Sequence, residues 1–171
     1  EMCIRDRPYS TPDESGNPDA LTILTYNIFM LSPPISFSDQ DTRAERMIHS
    51  LSEYDVLFIQ EAFDNDARID YLVPGLSSVY QYHTSILDIP GTANEDGGVM
   101  IFSKYPIELE LQHYYENCHS YECLTNKGFM YAKINKLGKP YHLIATHTQA
   151  FISEVEVSTR KAQIQEIRYF I

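Results

Sequence analysis

Polar side chains that could carry chemistry lie at the ends of four apolar runs in this sequence. They are Asn27, the segment from Glu61 to Asn65, the pair Glu95 and Asp96, and His147. If the strands next to them lie side by side, all four groups could meet at one edge of a sheet. Carboxylate and amide oxygens suit hard divalent cations such as magnesium and calcium. The pattern therefore indicates a candidate metal site.

Each group on its own also has an ordinary structural interpretation. Asn27 could be hydrogen-bonded within a turn, and Glu95 with Asp96 before two glycines is typical of an acidic turn. A single histidine at the end of a strand, such as His147, is more often structural than catalytic. The other histidines have no comparable context and are interpreted as structural: His49, His83, His113, His119 and His142. Only the combination of the four groups favours a functional site.

A strand buried on both faces is predicted for residues 56–60, which form an apolar run that leads directly into Glu61. This strand places Glu61 at the carboxyl end of a central strand, where open α/β sheets build their sites. An earlier strand is predicted for residues 21–30. Apolar residues at helical spacing predict a helix over residues 40–54. Two strands joined through a helix predict a parallel pair.

Further elements follow from the same kind of pattern. The helix 40–54 would begin at a cap formed by Asp39 or Asp41, and a shorter helix over residues 66–72 would be stopped by Pro74 and Gly75. A last helix is predicted for residues 154–171. A turn is predicted for residues 94–98, and the turn of an antiparallel hairpin for residues 137–139. The remaining strands are predicted at residues 79–85, 99–103, 107–115, 129–135 and 141–146.

These elements indicate one mixed α/β domain over residues 21–171. Residues 1–20 are interpreted as a leader or linker, because residues 8–20 are rich in Pro, Ser, Asp and Gly and show no periodicity. The first seven residues resemble a translated sequencing adapter, so Cys3 is interpreted as an artefact.

Composition restricts the classes of protein that fit. A formal net charge of −11 disfavours binding of nucleic acid through a broad basic surface, and no apolar run approaches the length of a membrane span. Three cysteines are too few for a disulfide scaffold. Cys118 and Cys123 could close a small loop in an oxidising compartment, or could remain free thiols.

Taken together, five segments resemble bacterial-type secreted neutral sphingomyelinases of the endonuclease/exonuclease/phosphatase superfamily, which have the DNase I-like fold. The segments are TYNIFML, FIQEAFDN, EDGGVMIFSKYPI, NKGFMYAKINKLGK and LIATHTQA. The resemblance extends from Leu21 to the C-terminus. It implies a secreted protein and a four-layer α/β sandwich, of which this chain would hold the front part in truncated form.

The resemblance also implies an activity and a set of site residues. The full protein would be a metal-dependent phosphodiesterase that hydrolyses sphingomyelin at membrane surfaces to ceramide and phosphocholine. Asn27 and Glu61 would place the central Mg²⁺, with Glu61 as a direct ligand, and His147 would donate a hydrogen bond to the phosphoryl group. A second cation, magnesium, calcium or another, would bind at a domain edge linked to membrane engagement. Its ligands would be Asn65, Glu95, Asp96 and the backbone carbonyl of Phe63.

Two motifs of the family are absent from these 171 residues: an Asp-x-Asn pair and an Asp-His pair whose histidine activates water. We therefore expect the chain by itself to be inactive and poorly stable, and to expose an apolar edge of its sheet. Two alternatives remain: a nuclease or phosphoinositide phosphatase with the same fold, and a non-catalytic membrane-binding module. The acidic charge and the EAFDN and EDGGV segments weigh against the first, and the triplet Asn27, Glu61 and His147 weighs against the second. No nucleic-acid partner and no obligate protein partner is expected.

Overall fold

The computed structural model describes residues 16–33, 35–36, 39–91 and 95–171. Two β-sheets lie in this part of the chain. The first contains β1 (Ile23–Met30), β2 (Val56–Ala62), β3 (Tyr82–His83) and β4 (Met100–Ser103), in the order β1-β2-β4-β3. The second contains β5 (Ile107–Tyr114), β6 (Gly128–Lys136) and β7 (Lys139–Thr146), in the order β5-β6-β7.

Helices cover the outer faces of both sheets. They are α1 (Gln40–Ser50), α2 (Asn65–Ala67), a π-helical turn (Arg68–Leu72), α3 (Val73–Ser77), a 3₁₀ turn (Ser120–Leu124) and α4 (Glu154–Phe170). One apolar core lies between the first sheet and the helical segments from α1 to α3, and a second lies between the two sheets. The α4 helix packs on the second sheet, where the Phe170 ring lies 4.9 Å from Phe129 and 5.4 Å from Tyr131. The predicted four-layer α/β sandwich is therefore confirmed.

The β2 strand is central and buried, as predicted. It pairs in parallel with β1 and antiparallel with β4, and five of its seven residues are buried. The β1 strand contains one extra residue, because Asn27 pairs with Gln60 while Met30 pairs with Ala62. This bulge lies beside Glu61, at the point where the candidate residues of both strands leave the sheet.

The hairpin between β6 and β7 is also confirmed. Lys136 pairs with Lys139, which leaves Leu137 and Gly138 as a two-residue turn. Both have left-handed backbones, with φ of 53° and 92°, as expected for a type I′ turn that matches the twist of its strands.

Four predictions of local structure are wrong. The helix 40–54 ends already at Ser50. Asp39 lies at its N-cap, but with a left-handed backbone, φ 55°, and without a side-chain cap bond to a backbone N–H. Its carboxylate instead accepts a hydrogen bond from Thr42 Oγ1 at 2.9 Å, because the extended conformation from which cap side chains reach an N–H is missing.

The helix predicted over residues 66–72 continues past Pro74 to Ser77. Pro74 lies in the first turn of α3, directly after the π-helical turn. The strand predicted over residues 79–85 is reduced to β3, because Tyr80 turns into the first core and donates a hydrogen bond to the carbonyl of Leu51. Asn94, in the predicted turn over residues 94–98, lies outside the described residues.

Candidate active site

Asn27, Glu61 and His147 meet at the bulge of β1 and the carboxyl ends of β2 and β7. Asn27 Nδ2 donates a hydrogen bond to Glu61 Oε1 at 2.7 Å. His147 Nε2 lies 3.4 Å from the same carboxylate oxygen. The Phe63 ring lies 6.3 Å from the imidazole of His147, so the residue that follows β2 contributes to the wall of this cluster. The predicted convergence of the three side chains is therefore present, and we call them the Glu61 cluster.

The backbone at the Glu61 cluster is held in an unusual conformation. Glu61 has a φ of 58° and Phe29, in the bulge of β1, has a φ of 48°. Left-handed backbone is costly for residues with a side chain and is concentrated at functional sites. Arg43 of α1 supports the bulge, because its guanidinium donates to the carbonyls of Ile28 at 2.6 Å and Phe29 at 3.0 Å. The sequence pattern indicated a helix at Arg43, but not this contact.

Glu61 has the properties of a ligand for a hard cation. Burial by itself raises its pKa, but contacts with His147 and Asn27 and the positive charge of Lys127 outweigh burial, so the pKa lies below its usual value. The carboxylate is therefore ionised at neutral pH. Its second oxygen, Oε2, is buried and has no hydrogen-bond partner among the described residues. A Mg²⁺ ion, which is often bound through one carboxylate together with water and phosphate oxygens, fits this free oxygen.

Lys127 is a member of the site that the sequence interpretation missed. Its Nζ lies 3.5 Å from His147 Nε2 and donates to the carbonyl of Thr148 at 3.1 Å. It also forms an ion pair with Glu122, whose carboxylate accepts a hydrogen bond from the backbone N–H of Ala150 at 2.9 Å. The segment NKGF belongs to the family resemblance and is the available signal in the sequence, but it assigns no role to Lys127.

The residues expected at the domain edge surround an arginine. Arg68 Nη2 lies 2.8 Å from Asp96 Oδ2 and also donates to Asn65 Oδ1, while Nη1 donates to the carbonyl of Ala62. Burial raises the pKa of Asp96, and the guanidinium and the N–H of Gly98 offset part of that effect. The structure therefore brings Asn65 and Asp96 together, but through Arg68.

Glu95 and Phe63 lie close to this edge without contacting Arg68 through a hydrogen bond. Glu95 Oε1 accepts a hydrogen bond from Ser32 Oγ at 2.5 Å, and the N–H of Phe63 donates to the carbonyl of Met30 at 3.0 Å. Gly98 has a φ of 63°, and a Cβ there would lie 2.8 Å from the Phe63 ring. A glycine is therefore required for the chain to pass between the edge and the Glu61 cluster.

The other predicted site features have mixed outcomes. Cys118 and Cys123 form a disulfide across the 3₁₀ turn. Among the described residues, no group of three or more His, Cys, Asp or Glu side chains is arranged to enclose a metal. His113 binds Glu166 at 2.7 Å, which agrees with a structural role. In the same part of the chain, no helix is long and apolar enough to cross a bilayer.

Comparison with known proteins supports the resemblance found in the sequence. Residues 24–152 match the endonuclease/exonuclease/phosphatase family. The chain is 36% identical to Sphingomyelinase C of Leptospira interrogans, over 95% of this chain and 32% of that protein. It is 35% identical to a Phospholipase C of Staphylococcus aureus, over 95% of this chain and 55% of that protein. The chain therefore spans between about a third and about half of the length of these relatives.

Solved structures of related proteins have the same fold as this chain. A variant of beta toxin from Staphylococcus aureus, solved with bound magnesium ions, superposes with a TM-score of 0.81 at 34% identity. The superposition covers 88% of this chain and 58% of that protein. The predicted DNase I-like fold is confirmed by these matches.

Proposed function

The chain belongs to the endonuclease/exonuclease/phosphatase family, and we propose that it supplies the N-terminal part of a sphingomyelin phosphodiesterase. In this proposal, residues 21–171 form the first part of the domain, and the full protein hydrolyses sphingomyelin to ceramide and phosphocholine. The observation that carries the proposal is the Glu61 cluster, which joins Asn27, Glu61 and His147 through contacts of 2.7 Å and 3.4 Å. The 36% identity to a protein named Sphingomyelinase C supports the choice of substrate.

Glu61 and Asn27 are the residues that would hold a Mg²⁺ ion. The free Oε2 atom of Glu61 supports this assignment, as do the magnesium ions of the similar beta toxin. Bound there, the cation would polarise the phosphodiester and offset the negative charge on its oxygens. His147 would donate a hydrogen bond to a phosphoryl oxygen, and the ammonium of Lys127 would add positive charge next to it. The base that activates water belongs to the Asp-His motif implied by the resemblance, outside these residues.

Two features support a secreted protein that acts on a lipid surface. The Cys118–Cys123 disulfide is typical of an oxidising compartment. Glu122 forms the ion pair with Lys127, and Ala150 binds Glu122 through its backbone N–H. Exposed apolar side chains lie next to these two residues in the sequence. We call them the apolar patch: Tyr121, Leu124, Phe151 and Ile152. This patch would rest on the membrane that contains the substrate.

The test compares this chain with the full-length protein that carries it. With Mg²⁺, we expect the full-length protein to release phosphocholine from sphingomyelin and to leave plasmid DNA intact, while the chain alone cleaves neither substrate. Glu61→Gln should lower kcat by about 100-fold to 1,000-fold, because an ionised ligand and its electrostatic effect are lost. Glu53→Gln, at an exposed position after α1, is the matched control and should leave kcat unchanged.

The other outcomes identify the alternatives. Cleavage of plasmid DNA by the full-length protein would support a nuclease. Binding to sphingomyelin vesicles without turnover would support a non-catalytic module. Near wild-type turnover of Glu61→Gln would remove Glu61 from the centre of the site, and turnover by the chain alone would show that the missing motifs are not needed.

A further inference from the structure

The side chains expected to bind a second cation at the domain edge already have partners within the chain. Arg68 Nη2 lies 2.8 Å from Asp96 Oδ2 and donates to Asn65 Oδ1. The other oxygen of Asp96, Oδ1, accepts a hydrogen bond from the N–H of Gly98 at 2.8 Å. Both carboxylate oxygens of Asp96 and the amide oxygen of Asn65 therefore have partners within the chain.

Arg68 is positioned firmly at this edge. Its side chain is 6% exposed and that of Asp96 is 9% exposed. Its backbone N–H donates to the carbonyl of Asp64 at 2.9 Å, and its second guanidinium nitrogen donates to the carbonyl of Ala62. A buried carboxylate needs a compensating positive charge. Arg68 supplies that charge to Asp96, and its planar fork binds two further oxygen atoms at the same time.

A divalent cation has no comparable place here. To reach Asp96 and Asn65 it would have to displace the guanidinium, or lie against its fixed positive charge. Glu95, the remaining carboxylate of the expected set, is turned to Ser32 Oγ at 2.5 Å. The oxygen atoms of Asn65 and Asp96 are thus arranged around the guanidinium of Arg68, whereas Glu61 Oε2 in the neighbouring cluster has no partner among the described residues.

We propose that Arg68 takes the place of the edge cation in this protein. It neutralises Asp96, holds Asn65 beside the Asp96–Gly98 segment and keeps this edge ordered without a metal ion. Divalent cations then bind at the Glu61 cluster and not at the edge.

Calorimetric titration with CaCl₂ and with MgCl₂ tests this inference in the full-length protein. The wild type should bind a single cation, and Glu61→Gln should show no saturable binding. Combining Glu61→Gln with Arg68→Ser should create a cation site, because Asn65 and Asp96 lose their internal partner. Combining Glu61→Gln with Arg68→Lys is the matched control, since a positive charge remains and no site should form.

The inference is overturned if Glu61→Gln still binds a cation and the further change Glu95→Gln abolishes that binding. It is also overturned if the Arg68→Ser combination folds and gains no site. Should that variant unfold in EDTA, its melting temperature should rise with added CaCl₂ while that of the Arg68→Lys combination should not; equal responses would contradict the inference. Because the measurement is binding and not turnover, its failure leaves the proposed function untouched.

Discussion

Lys127 adds a positive charge to the Glu61 cluster, whose other side chains are a carboxylate, an amide and an imidazole. The side chain of Lys127 is only 4% exposed, so its charge acts across a medium with little water. It helps to lower the pKa of Glu61 and lies within 3.5 Å of His147 Nε2. An ammonium in this position is suited to stabilise charge that develops on a phosphoryl group.

Replacing Lys127 with methionine keeps most of the side-chain volume and removes the charge. We expect kcat on sphingomyelin to fall about 100-fold with a smaller change in KM, because the ammonium acts mainly on charge formed during the reaction. Steady-state kinetics measure both values. Glu122→Gln is the control, since it removes the same ion pair but keeps Lys127. Equal losses of kcat in the two variants would show that Lys127 acts through the fold and not through its charge.

At the scale of elements, a buried ion pair joins the two sheets. Lys136, the last residue of β6, is fully buried and its Nζ lies 2.8 Å from Asp55 Oδ2, immediately before β2. Burial by itself raises the pKa of Asp55, but the ammonium of Lys136 and the N–H of Thr22 outweigh it, so the pKa lies below its usual value. The carboxylate is thus stabilised in its charged form by the fold.

Asp55→Asn should destabilise the protein by about 3–5 kcal/mol at neutral pH, because Lys136 is left buried without its counter-charge. Urea unfolding measures this loss, and adding Lys136→Met should recover part of it. Since folding lowers the pKa of Asp55, its contribution is fully present above the unfolded pKa of about 3.9 and disappears as the pH falls through the lower folded value. The unfolding free energies of wild type and Asp55→Asn should therefore converge in acid; a constant difference would contradict this account.

The strands could be predicted from the sequence because apolar runs and turn residues determine them locally. The apolar run before Glu61 predicted that β2 is a central strand, and the Leu137–Gly138 turn predicted the antiparallel hairpin. The passage of the helix through Pro74 could not be predicted, because it depends on the π-helical turn that precedes it. The strand ends likewise predicted the Glu61 cluster.

Arg68 shows why the rest of the site could not be predicted. Its guanidinium folds back to Asn65, three residues earlier, and reaches Asp96, 28 residues later, through side-chain directions that no periodicity encodes. A carboxylate and an amide at strand ends indicate an oxygen-rich site. They do not distinguish a site open to a metal ion from one filled by a neighbouring cation, and that difference requires the packed structure.

For the whole molecule, an acidic composition and exposed apolar side chains act together. The formal net charge of −11 of these 171 residues opposes binding to anionic membranes, so the proposed contact with a lipid surface would have to come from apolar groups. The β1 strand, at the edge of its sheet in the described part of the chain, exposes Ile23, Tyr26 and Phe29, in line with the expected apolar edge. The apolar patch, in contrast, lies beside the residues that support His147.

Phe151 and Ile152 test the role of the patch, since they are 51% and 91% exposed. Changing both to serine should lower turnover on vesicles of sphingomyelin and phosphatidylcholine roughly tenfold or more, because full burial of such side chains is worth about 1.5–3 kcal/mol each. Turnover of detergent-dispersed sphingomyelin should change little. Ile69→Ser, at a 61% exposed position in the π-helical turn, is the control and should act normally on both. Equal losses on vesicles and in detergent would place Phe151 and Ile152 in the support of the site, and unchanged turnover on vesicles would remove them from the membrane contact.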